Sequence, residues 1–323
     1  MSTMDLSKLK SPVMWPGMRQ QVVQAVNEVV GPINRDKLDL QLKTVDEVEF
    51  RGYVRKRINY FVDSWDRISA WLFVPEGKDE APAIVCCHSE APGGKDEPAG
   101  LEGDSRLAFA QRYAEMGFVT LAPDCLTAGD RTSSKLRPYD SRGFYKDNPK
   151  GSLAAKMLSD HCRAVDALCE IKRVDPARIG TIGHGMGGLN AILLAAYDER
   201  IAACVASEAI TRFATDKNPE RWVPEEGPIL IPKLKDIIAS GKYPFDWEHV
   251  LALAAPTPLL LLYTLSNSPF STPKSAEKAV TLASKVYKLL GAPGAIDHFG
   301  HHDGDKVSAE TMEVADEWFE RWL

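Results

Sequence analysis

The chain has 323 residues and a formal net charge of −6, with 44% hydrophobic and 26% charged residues. This length and composition predict a globular protein with a sizeable buried core. The mildly acidic balance gives no support for binding to nucleic acid or to an anionic membrane surface. No run of about 18 apolar residues is present, so no membrane-spanning helix is predicted.

The N-terminal stretch MSTMDLSKLK lacks the apolar region of a secretory signal peptide. The six cysteines form no C-x-x-C pair. Reduced and mostly buried thiols are the ordinary interpretation of such cysteines, so we expect a cytoplasmic protein.

Short apolar runs alternate with longer amphipathic segments, a pattern typical of a mostly parallel sheet covered by helices. The expected strands are 55–63, 69–75, 82–88, 118–124, 178–184, 201–210 and 257–265. The expected helices are 106–117, 151–171, 186–198 and 308–323. The first two strands are expected to form an antiparallel edge, whereas TPLLLLYTL is the continuous apolar run of a strand buried on both faces.

Two regions depart from this alternation. Residues 1–45 are predicted to form a helical N-terminal extension. Residues 211–250 contain five prolines and are predicted to form a cap-like excursion between two core strands. Because neither an internal repeat nor a linker is evident, residues 1–323 are assigned to a single domain.

The stretch TIGHGMGG, residues 181–188, stands between a predicted strand and a predicted apolar helix. It matches the G-x-S-x-G turn on which many hydrolases present a nucleophilic serine, except that Gly185 occupies the serine position. Gly183 and Gly187 fit this turn because the strand and the helix approach each other closely there. A close-packed strand–helix junction without catalytic meaning is the alternative.

A wider pattern is carried by five segments, which are HSEAPGGKDEPAGLEGD, GFVTLAPDCLTAGDR, RGFYKDNPKGSLAAKMLSDHCRAVDAL, DPARIGTIGHGMGG and YPFDWEHVLALAAPTPLLLLY. In order and spacing they resemble the acetylxylan-esterase and dienelactone-hydrolase-like branch of the α/β-hydrolase superfamily. The resemblance covers the chain from about residue 45 to the C-terminus. It implies an α/β-hydrolase fold, with a mostly parallel eight-stranded sheet flanked by helices, and a Ser–Asp–His triad.

The sequence departs from the implied triad at two positions. Gly185 replaces the serine, and Asn267 in the loop LSNSPFSTP stands at the aspartate position. The histidine is kept within HFGHHDG, where His302 best matches the family position and His301 is the alternative. Loss of a serine nucleophile removes roughly 10⁶ in kcat, and an Asp-to-Asn change removes about 10⁴. Ordinary serine-esterase turnover is therefore not expected.

Other parts of the implied site are still present. The family resemblance implies an oxyanion hole made of backbone N–H groups from Met186 and from the turn at Ser89 and Glu90, and this hole needs no serine. His88 and His184 are expected to line the pocket.

Two glutamates stand at unusual places in this site. Glu208 lies near the end of strand 201–210 and is either a partner for His302 or a rim carboxylate that faces water. Glu90 is more typical of a solvated loop charge than of a site residue.

No cofactor and no metal are predicted. The histidines and aspartates in the patch match no metal-binding motif; they are His298, His301, His302, Asp303 and Asp305. No G-x-G-x-x-G fingerprint follows the first core strand, so a dinucleotide site is not expected.

Three hypotheses remain open. The first is a serine-less enzyme in which His302, with Glu208, and the backbone hole act on a small carbonyl or ester substrate as a lyase, decarboxylase, isomerase, cyclase or water-attack hydrolase. The second is a non-catalytic binding protein. The third is an engineered serine-to-glycine knock-out of a carboxylesterase, against which Asn267 argues because one change is enough to inactivate the enzyme. The expected partner is a small-molecule substrate, and a homodimer is possible on the sequence alone.

Overall fold

The computed structural model of the chain describes residues 4–323 except 35, 37, 134, 225–226, 267–271 and 305. Within this range the strands are β1 Lys43–Phe50, β2 Tyr53–Phe61, β3 Arg67–Pro75, β4 Ala81–Cys87, β5 Val119–Pro123, β6 Val174–His184, β7 Ile201–Ser207, β8 Leu259–Thr264 and β9 Ile296–His301. They form one sheet in the order β1-β2-β3-β5-β4-β6-β7-β8-β9. The strands from β4 to β9 pair in parallel, whereas β1, β2 and β3 pair antiparallel.

The helices in the same range are α1 Trp15–Val30, α2 Phe109–Glu115, α3 Arg142–Asp147, α4 Leu153–Cys169, α5 Met186–Tyr197, α6 Leu234–Ser240, α7 Trp247–Leu253, α8 Pro273–Leu289 and α9 Ala309–Trp322. Helices α1, α4, α5, α7 and α8 contribute to the larger apolar core on one face of the sheet. Helices α2 and α9 bury their apolar residues on the opposite face. The prediction of a mostly parallel sheet flanked by helices is confirmed, since both faces of the central strands are covered.

The first strand is the main departure from the expected architecture. The sheet has nine strands in the described range instead of eight, because β1 pairs antiparallel with β2 at the edge. Only part of the segment 1–45 is helical, since α1 ends at Val30 and a strand begins at Lys43. All eight residues of β1 are exposed, so the strand has no buried face whose apolar alternation could have revealed it.

The excursion 211–250 packs around an aromatic cluster. Phe213 contacts the rings of Trp222, Tyr243, Phe245 and Trp247.

One residue of the excursion also packs against the body of the protein. Leu230 contacts the apolar cluster to which Met186, the first residue of α5, belongs, and its carbonyl oxygen accepts the N–H of Ala154 in α4. The role of the segment as a cap stays a prediction.

Candidate active site at the carboxyl edge of the sheet

The turn between β6 and α5 has the tight geometry predicted for residues 181–188. Gly185 lies between the strand and the helix at φ 56° and ψ −120°. A Cβ atom on Gly183 would lie 2.2 Å from the backbone carbon of Gly187, and a Cβ on Gly187 would lie 2.2 Å from the carbonyl oxygen of Cys87. Only glycine fits such approaches. The left-handed φ of Gly185 also costs glycine little, whereas a side chain there would add strain.

The Glu90 side chain lies directly over this turn. Its Oε2 atom is 3.0 Å from the point that a Cβ on Gly185 would occupy. The backbone N–H groups of Met186 and of Glu90 itself lie close enough to this carboxylate to favour its ionised form. These N–H groups are the ones from which the sequence predicted an oxyanion hole, so a carboxylate of the protein lies beside the predicted hole.

The interpretation of Glu90 as a solvated loop charge is wrong. Burial raises the pKa of its carboxyl group above the usual range, and the nearby Glu97 carboxylate adds to the rise, while the bonds from the two N–H groups oppose it. The sequence could not reveal this position, because it depends on how the loop after β4 folds back over the elbow.

Two residues that sequence reasoning missed hold this loop in place. The Glu97 carboxylate accepts hydrogen bonds from the Ser89 N–H, at 3.2 Å, and from the Ser89 hydroxyl, at 2.5 Å. The Tyr139 hydroxyl donates toward the carbonyl oxygens of Ser89 and Ala91, at 3.0 and 2.7 Å. The backbone on both sides of Glu90 is therefore fixed by groups that lie 8 and about 50 residues farther along the chain.

The His88 side chain is buried and also orders the loop, because both of its ring nitrogens contact the backbone. The Cys125 N–H donates to its Nε2 atom at 2.9 Å, which leaves Nδ1 to donate to the Ser89 carbonyl oxygen at 2.7 Å. Burial lowers the pKa of His88, so the ring is held neutral with its proton on Nδ1.

His184 precedes the elbow on β6 and is buried. Its Nδ1 atom lies 3.0 Å from the hydroxyl oxygen of Ser207, which is paired with it across β6 and β7. The ring is therefore packed at the sheet edge, close to Gly185, in the position of a lining residue.

Glu208 and His301 form a buried pair at the same edge. The Oε1 atom of Glu208 lies 3.4 Å from Nε2 of His301, and both side chains are at least 95% buried. The same Oε1 atom accepts the N–H of Thr264. Among the described residues the other oxygen, Oε2, has no hydrogen-bond partner.

The backbone of Glu208 is strained. Its φ of 50° lies in the left-handed region, which costs a residue other than glycine about 1–3 kcal/mol. The fold keeps a buried carboxylate in a costly conformation beside a histidine, which is the kind of strain that clusters at functional sites.

The two candidate histidines differ in burial, since His301 is buried and His302 is exposed. His302 was the first choice from the sequence, but its side chain is exposed beyond the end of β9. His301 is the last residue of β9, is buried, and also lies 3.4 Å from Asp303 through its Nδ1 atom. The sequence paired Glu208 with His302, whereas the structure places Glu208 beside His301, the alternative histidine. Asn267 lies outside the described residues, as does Asp305.

A buried ion pair between Lys95 and Asp124 orders the loops of this region. The Lys95 ammonium lies 3.0 Å from the carboxylate of Asp124, which also accepts backbone N–H bonds from Lys95 and Asp130. The guanidinium of Arg131 donates to the Asp124 carbonyl oxygen. Asp124 and Arg131 thus order the loops that they contact.

Within the part of the chain that the structure describes, no group of three or more His, Cys, Asp and Glu side chains is placed to hold a metal ion. None of the helices in that part of the chain has both the length and the apolar content needed to cross a bilayer.

Comparison with known proteins agrees with this architecture. Residues 68–215 match the model of the dienelactone hydrolase family. YtaP of Bacillus subtilis (strain 168), which is named as a candidate hydrolase, is 32% identical over 140 residues, or 41% of this chain and 46% of YtaP. The chain spans about half of the length of the curated relatives that it matches.

Solved structures match nearly the whole chain. A glucuronoyl esterase from Solibacter usitatus superposes with a TM-score of 0.79 at 18% identity, covering 96% of this chain and 94% of that one. A candidate acetyl xylan esterase from Bacteroides fragilis NCTC 9343 superposes with a TM-score of 0.74 at 17% identity, covering 97% and 89%. At such identities the likeness shows the fold, and the protein therefore has the α/β-hydrolase fold.

Proposed function

We propose that the protein is an α/β-hydrolase-fold enzyme that acts on a small carbonyl or ester substrate without a serine nucleophile. The observation that carries this proposal is the buried pair of His301 and Glu208, at the same sheet edge as the elbow at Gly185. Glycine has no side chain, so no acyl-enzyme forms at residue 185. General acid–base chemistry by the remaining groups is what the site offers.

In this proposal His301 transfers the proton and Glu208 positions it. A carboxylate beside an imidazole fixes the orientation of the ring and stabilises the imidazolium that forms when the ring takes a proton. Hydrolysis by direct attack of water, lyase or decarboxylase chemistry, and isomerisation or cyclisation all need such a group next to a carbonyl. The names of the esterase and hydrolase relatives support a carbonyl or ester substrate.

The proposal is tested by turnover of defined probes. The purified protein is assayed with p-nitrophenyl acetate, dihydrocoumarin and oxaloacetate, and the H301A and H302A variants are compared on whichever probe reacts. We expect H301A to lose about 10²- to 10⁴-fold in kcat, the usual contribution of a general acid or base. H302A is the matched control, because it removes an adjacent but exposed ring. Equal activity of H301A and the unaltered protein would contradict the proposal.

A non-catalytic binding protein is the second candidate, and the position of the Glu90 carboxylate supports it. This carboxylate lies beside Gly185 and the Met186 N–H favours its ionised form, so it would compete with a substrate oxyanion for that N–H. Retention of a small molecule in native mass spectrometry, with no conversion of that molecule after long incubation, would favour this candidate over the enzyme.

A further inference from the structure

We propose that the protein forms a symmetric dimer through an exposed patch at the antiparallel end of its sheet, and that the partner is a second copy of the same chain. Five residues make up this edge patch; they are Val48, Phe50, Arg55, Glu115 and Met116. None of them belongs to the candidate active site, so the inference does not depend on the proposed function.

Three members of the edge patch point to the same face of the sheet. Val48 and Phe50 of β1 stand opposite Arg55 and Tyr53 of β2, respectively. Side chains that stand opposite each other in an antiparallel ladder share a face. Tyr53 belongs to the apolar cluster to which α2 and α9 contribute, so this is the face that carries those two helices.

The end of α2 reaches the same part of that face. Helix α2 packs on β3, β4 and β5, ends at Glu115 and has Met116 as its C-cap. Burial raises the pKa of the Tyr53 hydroxyl, the Glu115 carboxylate adds to the rise, and the Arg55 guanidinium opposes it. Both charged groups therefore lie near this hydroxyl, and the edge patch contains one charge of each sign.

The apolar members of the edge patch are exposed close to one another. The exposed fractions are 41% for Val48, 39% for Phe50 and 36% for Met116. Phe50 also stacks on Tyr53, with ring centroids 5.1 Å apart, and so lies close to the end of α2. Single exposed apolar side chains are common on protein surfaces, whereas grouped ones mark a contact surface.

Two aromatic rings hold the guanidinium of Arg55 in place. It lies over the ring of Phe50 at 5.0 Å and over the ring of Trp71 at 4.9 Å. Among the described residues its Nε atom has no hydrogen-bond partner. Because stacking fixes the plane of the guanidinium, its donors can meet a carboxylate with little further loss of side-chain entropy.

A second copy of the chain supplies the complement of this patch. In a two-fold dimer both chains use the same surface, so each contact between two different residues occurs twice. Arg55 then meets the partner's Glu115, while Glu115 meets the partner's Arg55. The apolar side chains of the two patches cover each other around these ion pairs. A patch with only one sign of charge could not bind itself in this way.

Pairing of two β1 strands along their edges does not offer the same complementarity. β1 is the edge strand of the described sheet and carries Asp46, Glu47 and Glu49. If two copies of β1 paired antiparallel about a two-fold axis near the middle of the strand, carboxylates would stand opposite carboxylates, which is unfavourable. The partner is therefore expected on the face of the strands and not along their edge.

The first experiment is sedimentation velocity of the full chain, whose monomer has a mass of 35.6 kDa. We expect the unaltered protein to dimerise between about 2 and 100 µM. E115R alters an exposed side chain and should weaken the dimer by about tenfold or more in Kd, because the new charge meets that of Arg55 twice. K235E, on the exposed surface of α6, is the matched charge-reversal control and should dimerise like the unaltered protein. A monomer throughout this range, or an E115R dimer as tight as the unaltered one, would overturn the inference.

The second experiment exchanges the two charges. R55E should weaken the dimer as E115R does, and R55E/E115R should return to within about threefold of the unaltered Kd, because opposite charges face each other again. A double variant weaker than both single variants would refute the pairing. Circular dichroism first establishes that each variant is folded, and E115R with K235E carries the test if R55E does not fold.

The third experiment separates face-to-face packing from pairing of the β1 edges. M116K changes an apolar member of the edge patch that lies outside β1 and should weaken the dimer by about tenfold. Pairing along the strand edges would leave M116K unaffected, and that result would contradict the inference.

Discussion

The elbow and the histidine loop lie at the same edge of one sheet, but they offer different features. The elbow has the backbone conformation of a tight turn and carries no side chain, since Gly185 has a left-handed φ. The histidine loop carries a buried side chain, because His301 lies beside Glu208, the residue that follows β7. Packing therefore fixes the backbone geometry of the elbow. It does not fix which side chain the elbow carries, as the glycine at position 185 shows.

The largest effect is expected where the elbow is held by close approach. In G187A the new Cβ would lie 2.2 Å from the carbonyl oxygen of Cys87 and 2.6 Å from that of His88, and backbone atoms cannot move aside cheaply. We expect a loss of about 4 kcal/mol or more in the free energy of unfolding, or no folded protein at all. Unfolding in urea, followed by circular dichroism, measures this loss.

A glycine elsewhere in the chain provides the control for that substitution. Gly17 lies in α1, and a Cβ there would meet no atom within 4 Å. G17A should leave stability unchanged or raise it by about 0.5–1 kcal/mol, because alanine is the better helix former. If G187A and G17A behaved alike, the elbow would not be fixed by packing.

The next effect is expected on the histidine side, at Glu208. Its φ is positive, as is that of Gly185 at the elbow, but Glu208 is not a glycine. E208A removes the partner of His301 and the acceptor of the Thr264 N–H, so we expect a loss of about 3 kcal/mol in unfolding free energy. E208G removes the same contacts but relieves the positive φ, and should be less destabilised than E208A by about 1 kcal/mol. Equal stabilities of the two variants would mean that the backbone of Glu208 stores no strain.

Much of the elbow could be predicted from the sequence, because the strand, the glycines and the apolar helix are all local signals. A contact between Glu208 and a histidine was also within reach, since Glu208 follows a predicted strand and the family resemblance implies a histidine loop in the same site. The choice between His301 and His302 could not be made from the sequence. A shift of one residue along a strand reverses the face to which a side chain points, and β9 had not been recognised.

The position of Glu90 could not be predicted from the sequence. Its place over Gly185 depends on a loop held by Glu97 and Tyr139, which approach it only in the folded chain. Local patterns in the sequence describe the neighbours of a residue along the chain, and here the deciding neighbours lie elsewhere. The same limit applied to β1, whose exposed residues carry no signal of a buried face.

A smaller effect should appear in the pH dependence of stability, through Asp124. Burial raises the pKa of Asp124 to about 6 in the folded protein, above its ordinary value of 3.8. A carboxyl group whose pKa is raised by folding contributes stability that is fully present below about pH 4 and is lost as the pH rises through about 6. Relative to D124N, the unaltered protein should therefore gain on the order of 2 kcal/mol between pH 7 and pH 4. Urea unfolding at several pH values in this range tests the sign, and a gain on raising the pH would contradict it.

The smallest effect on stability is expected at the exposed histidine, His302, which is compared with its buried neighbour His301. His302 is exposed, so H302A should change the free energy of unfolding by no more than about 0.5 kcal/mol. H301A should cost more, on the order of 1–3 kcal/mol, since it leaves the buried carboxylate of Glu208 without its histidine. Parallel urea titrations of the two variants decide between them. A larger loss in H302A than in H301A would contradict the assignment of His301 as the buried histidine. It would also contradict the proposal that His301 is the acid–base group of the site.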